Sequence, residues 1–175
     1  MRKNQLGPLI GAVFGLVFVL ANTGPLPAGV GIPIRVLAVL AFLRLFTLLR
    51  RRSAPSAPSA TFGRGYRLVV AVEVAAGAAG LFVISRVLHH PQAAVGWIAL
   101  VVGLHFFGLA AVWRMPAVNA LAAVLSVCGA AGIALAWAGA PQAAVATVAG
   151  IAPGAALLGA VAWTLRGKAT APAGA

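Results

Sequence analysis

Carboxylates are almost missing from this chain. Glu73 is the one acidic residue among 175, set against 13 Lys and Arg. A ligand cluster for a metal ion is not expected, since one carboxylate, the adjacent His89-His90 and a separate His105 do not make a ligand set. No Ser-His-Asp set can be assembled, and no glycine loop with a following lysine is present to cradle phosphate. Cysteine is equally scarce. Cys128 stands alone in an apolar run, so no intrachain disulfide can form and redox chemistry has no second thiol. Charge of any kind is thin, at 8% of residues, where a soluble domain carries about a quarter. Too little polar surface remains to coat a globule in water.

Hydrocarbon fills the chain instead, at 62% of residues. The class is therefore integral membrane protein, and the length suits one small helical bundle. A helix needs roughly 20 apolar residues to cross ~30 Å of hydrocarbon. Six segments qualify, at roughly 6–22, 30–49, 68–88, 93–113, 116–138 and 142–165. Asn22-Thr23-Gly24-Pro25, the stretch from Arg50, His89-His90-Pro91, Arg114-Met115-Pro116 and Gly139-Ala140-Pro141 punctuate them. Pro33, Pro91, Pro116 and Pro141 fall near helix starts, where a missing N–H costs nothing. The expected fold is all-α, one transmembrane bundle of six helices over 1–167 with a flexible tail at 168–175.

Basic residues set the orientation. With six spans, Arg2, Lys3, Arg50, Arg51, Arg52, Arg64, Arg67, Arg114, Arg166 and Lys168 fall on one side and only Arg86 near the other. This asymmetry predicts both termini in the cytoplasm of a multi-pass inner or plasma membrane protein. The net charge of +12 is then a topology signal, and nucleic acid is not expected as a partner. The start of the chain also reads as a signal peptide, Arg2-Lys3 and an apolar run ending at Val19-Leu20-Ala21. Gly7, Gly11 and Gly15 favour a retained helix, because their four-residue spacing makes a smooth packing ridge.

The segment 50–67 is the one substantial loop, an Ala/Pro/Ser stretch flanked by Arg50, Arg51, Arg52, Arg64 and Arg67. Those arginines anchor helix ends and are candidates for holding anionic lipid headgroups. Pro91-Gln92-Ala93-Ala94-Val95 recurs as Pro141-Gln142-Ala143-Ala144-Val145. A duplication would relate the third and fourth spans to the fifth and sixth. Chance alignment of alanine-rich helices is the competing account.

Polar residues inside the spans are the functional leads, because charge in hydrocarbon is expensive to keep. Glu73 is six residues from Arg67 and Arg44 six from Arg50, so each lies ~9 Å deep. His105, nine residues from Arg114, lies ~13 Å deep. Glu73 shares a helical face with Gly77 and Gly80, and it is expected to face the bundle. Three readings follow: an ion- or proton-responsive site of Arg44, Glu73 and His105; a neutralised pair locking helices; and an Arg44 that snorkels to the interface. In the last span, Pro153 within Gly150-Ile151-Ala152-Pro153-Gly154 removes a backbone hydrogen bond and predicts a break or kink. Haem is rejected, since His89 and His90 lie far from the depth of His105. No cofactor is expected.

The stretch Val102-Gly103-Leu104-His105-Phe106 resembles one found in small bacterial multi-pass membrane proteins of undetermined activity. The resemblance covers about ten residues and implies only that this histidine is a shared feature. The leading functional expectation is a small transporter- or channel-like protein, or a subunit of one, built around the polar site. The alternative is a noncatalytic scaffold or assembly subunit that binds partner membrane proteins or further copies of itself. Enzymatic activity is the least supported class, because no catalytic set is complete.

Overall fold

The computed structural model describes residues 6–51, 63–115 and 117–167. The centre of the 50–67 loop, with Arg52, lies outside them, as do Arg2, Lys3, Pro116 and the 168–175 tail. All regular structure among the described residues is helical. The elements are α1 (Leu6–Asn22), α2 (Ala28–Arg51), α3 (Arg64–Phe82), α4 (Ala94–Trp113), α5 (Ala117–Trp137), α6 (Gln142–Ala146) and α7 (Ala152–Gly167). A π turn, Val83–Val87, extends α3, and a 3-10 turn, Pro91–Ala93, leads into α4. A second π turn, Thr147–Ile151, joins α6 and α7 into one rod.

Five of the six rods are long and apolar enough to cross a membrane; α1, at 17 residues, is apolar but shorter. The fold is thus a helical bundle of multi-pass membrane type. Four of the five arginines assigned to the 50–67 loop belong to helices instead. Arg50 and Arg51 close α2, while Arg64 and Arg67 open α3. Arg50 lies over the Phe46 ring, 5.4 Å from its centroid.

Local chemistry explains the boundaries. The carbonyl of Pro27 accepts the amides of Val30 and Gly31 and starts α2. Pro33 therefore sits inside the helix rather than near its first turn. Two helices end in the same six-to-one motif. Ala140 donates to the carbonyl of Leu135 and Gly139 to that of Ala136, with Gly139 left-handed at φ 72°. Met115 donates to Ala110 and Arg114 to Ala111, with Arg114 left-handed at φ 52°. Glycine suits the first of these positions; the second carries a side chain at some cost in strain.

The rods are arranged as a row that bends around a core. α1 packs on α7 and α2, α7 on α5, and α5 on α4; α3 leans on α4 alone, apart from minor contacts. The interface between α4 and α5 is the most extensive in the molecule. It is built on glycine. A Cβ on Gly96 would lie 2.7 Å from the backbone nitrogen of Ile133, and one on Gly129 would lie 2.8 Å from the carbonyl oxygen of Gly96 and overlap the Leu100 backbone. α1 and α7 cross reciprocally, with Gly15 against the Gly154 carbonyl and Gly154 against the Gly15 carbonyl. Between these crossings Phe18, Ala99, Val102, Leu125 and Leu157 form a buried apolar centre. Of the expected α1 ridge, Gly15 is tightly packed and Gly11 touches Val161, whereas Gly7 meets nothing.

Candidate functional site

α3 and α4 run antiparallel, and their seam is read off residue by residue. Tyr66 stacks on Trp113 with centroids 6.1 Å apart. Val69 packs at Gly108, and Trp97 fills the space beside Gly80. Trp97 Nε1 also donates to the Ala76 carbonyl at 3.2 Å. Positions 69, 73, 76 and 80 are one stripe of a helix with 3.6 residues per turn. Glu73 is thus carried into the seam by its neighbours. His105 is the residue that meets it: Nδ1 lies 2.9 Å from Glu73 Oε2.

This is the one contact between a carboxylate and a basic side chain among the described residues. Its distance is short, but the oxygen lies off the ring N–H direction, so Nδ1 makes no aligned hydrogen bond. Phe106 stands edge-on to the imidazole at 5.9 Å between centroids. The side chain of His105 is 12% exposed and that of Glu73 is 23% exposed. Glu73 therefore sits at the rim of the seam.

Arg44 is not part of this site. The expected Arg44–Glu73 contact is absent, and Arg44 is exposed on α2. The reason is the order of helices in the row: α2 packs on α1 and α7, at the far end from α3. Matched depth did not make the two helices neighbours. Gly77, expected on the Glu73 face, also points into open space.

The anticipated break in the last span is a π turn rather than an interruption. Ala152 donates to the carbonyl of Thr147, five residues back. The wide turn lies immediately before Pro153, which has no N–H to donate, so the helix continues. Pro153 is fully buried. Gly150 and Gly154 face α1, the first against Asn22 and the second against Gly15.

A second polar group was not anticipated. Asn22 and Thr23 read as punctuation in the sequence, yet both are buried. Asn22 Nδ2 donates to the Phe18 carbonyl at 2.8 Å. Thr23 Oγ1 donates to the Leu20 carbonyl at 3.1 Å and accepts Arg35 Nε at 2.6 Å. Arg35 thus ties α2 to the end of α1. The only sequence signal was a polar pair beside a span with an arginine twelve residues on.

Among the described residues no three His, Cys, Asp or Glu side chains converge as metal ligands. Two surface cavities flank the bundle. One of 350 Å³ lies at the Arg114 end, lined by Phe107, Ala110, Ala111, Arg114 and Asn119. The other, of 170 Å³, lies at the opposite end around Asn22, Gln92 and Gln142. Neither is lined by Glu73 or His105. Comparison with protein-family models, curated proteins and solved structures returns no match.

Proposed function

We propose that this protein is a noncatalytic membrane subunit that binds a partner helix along α3. The observation that carries this reading is the position of Glu73. A carboxylate in hydrocarbon calls for a complete polar or protein shell. Here it lies 23% exposed at the rim of a helix with one substantial neighbour and no buried residue of its own. Lipid covers an apolar face as well as protein does, but it gives a carboxylate nothing. A second helix laid against α3 would close that rim. The glycine-built crossings of the remaining rods and the apolar centre support a packed body over a conduit. Further copies of the chain and other membrane proteins are both suitable occupants.

A photoreactive residue at Val74, exposed beside Glu73, tests this in native membranes. The expected product is a protein adduct of defined mass. Adducts to lipid alone, from both Val74 and Val72, would remove the reading. The second reading, a transporter- or channel-like protein, is favoured by the meeting of a carboxylate and an imidazole inside apolar spans, where polar side chains mark ion and solute paths. Solute flux in vesicles holding only the purified protein, lost in His105→Gln, would put that reading first.

Both readings share one orientation. Arg50, Arg51, Arg64, Arg67, Arg114 and Arg166 sit at helix ends that alternation brings to one side, which we assign to the cytoplasm of an inner or plasma membrane. Single cysteines near Pro27, His90 and Gly139 should then react with an impermeant thiol reagent added outside sealed cells. Labelling of Ser56→Cys from outside would reverse the assignment. The same arginines are placed to meet anionic headgroups on that side.

A further inference from the structure

The cavity of 170 Å³ joins two features that the α3 reading leaves unused: the repeated pentapeptide and buried Asn22. Pro91-Gln92-Ala93-Ala94-Val95 and Pro141-Gln142-Ala143-Ala144-Val145 start neighbouring rods at the same end of the bundle. Both copies give the same two positions to one cavity, Gln92 with Val95 and Gln142 with Val145. Ala21, Asn22 and Pro25, at the end of α1, supply the third wall.

The cavity has depth. Its lining runs from Gln142 at the start of α6 to Ala146, four residues and so ~6 Å further along the rod. Gln92 and Gln142 are exposed and form a rim, while Asn22, Val145 and Ala146 are buried and form the floor. Asn22 spends one N–H on the Phe18 carbonyl. Its Oδ1 accepts no hydrogen bond from the described residues, and Asn22 lines the cavity. The π turn matters here. Gly150 lies within it, and a side chain at that position would overlap Asn22 and push it from the floor.

We propose that this cavity is a binding site for a small uncharged solute of the amide class. Three carboxamides each present a donor and an acceptor, which pairs them with a ligand carrying both. No charged side chain lines the cavity, so an ion entering it would give up water without a counter-charge. The volume is below that of sites for drug-sized ligands, which limits the occupant to a molecule of a few heavy atoms. The site stands independently of any partner on α3.

Saturation-transfer NMR on the full chain in lipid nanodiscs, with acetamide as probe and acetate as its charged counterpart, tests the assignment. Acetamide should show saturable transfer and acetate none above empty nanodiscs. Asn22→Leu should weaken acetamide binding by up to roughly tenfold, the loss that accompanies one or two hydrogen bonds. Gln142→Ala, at an exposed position, leaves the fold intact and should weaken it several-fold. Equal transfer to acetate, or acetamide binding unchanged in Gln142→Ala combined with Gln92→Ala, overturns the proposal. If Asn22→Leu does not fold, that rim double variant decides alone.

Discussion

Gly129→Ala should cost this protein more stability than a methyl added at any other described glycine. A Cβ at Gly129 already overlaps the Leu100 backbone and sits 2.8 Å from the Gly96 carbonyl oxygen. Overpacking a core costs about 1–3 kcal/mol where side chains can shift. Here the obstacle is backbone, so the two rods must separate along the molecule's largest interface. That separation forfeits the close van der Waals packing that holds membrane helices together in place of a hydrophobic drive. We expect the variant to unfold at much lower denaturant in detergent micelles, or to fail to accumulate. Gly77→Ala is the matched control, since nothing lies within 4 Å of that position. It should be neutral or slightly stabilising. Equal unfolding of both variants would mean that α4 and α5 do not meet as described.

The second large effect concerns the seam pair. Glu73→Leu and His105→Leu should each destabilise, and the double variant should lose less than their sum. Polar pairs between membrane helices couple by about 0.6 kcal/mol on average and up to about 1.7. A charged carboxylate left without its partner raises that figure toward the few kcal/mol seen for broken buried pairs. We expect about 1–2 kcal/mol here, because Glu73 lies at the rim and not in the centre. Arg44→Met should add to Glu73→Leu without coupling, as distant sites do. Coupling between Arg44 and Glu73, or none between His105 and Glu73, would exchange the partners.

These two experiments mark what the chain discloses of itself. Helix positions were legible because Pro, Gly and basic residues interrupt each apolar run. The start of α2 moved by two residues to Ala28, where the Pro27 carbonyl overrode the pattern, and that of α3 by four, to Arg64. The fixed rise per residue put Glu73 and His105 within about one turn of each other, and the two are in contact. Neighbourhood was not legible. Nothing in the apolar pattern of α2 says that it packs on α1 and α7 and leaves Arg44 exposed. Nearly uniform hydrophobicity gives each rod no preferred face, so small-residue contacts decide the order. The π turn before Pro153 was equally hidden, for a proline announces a missing hydrogen bond but not how the helix absorbs it.

The reciprocal glycine crossing of α1 and α7 bears on how the protein is made. Gly154 leaves the ribosome 139 residues after Gly15. At ~5–20 residues per second the first rod waits on the order of ten seconds for its main partner. Until then its glycine face is open to lipid, to insertion machinery and to other nascent chains. A chain cut short before α7 would leave α1 with α2 but without its main partner, so the emergence of α7 is the step that commits α1 to its folded place.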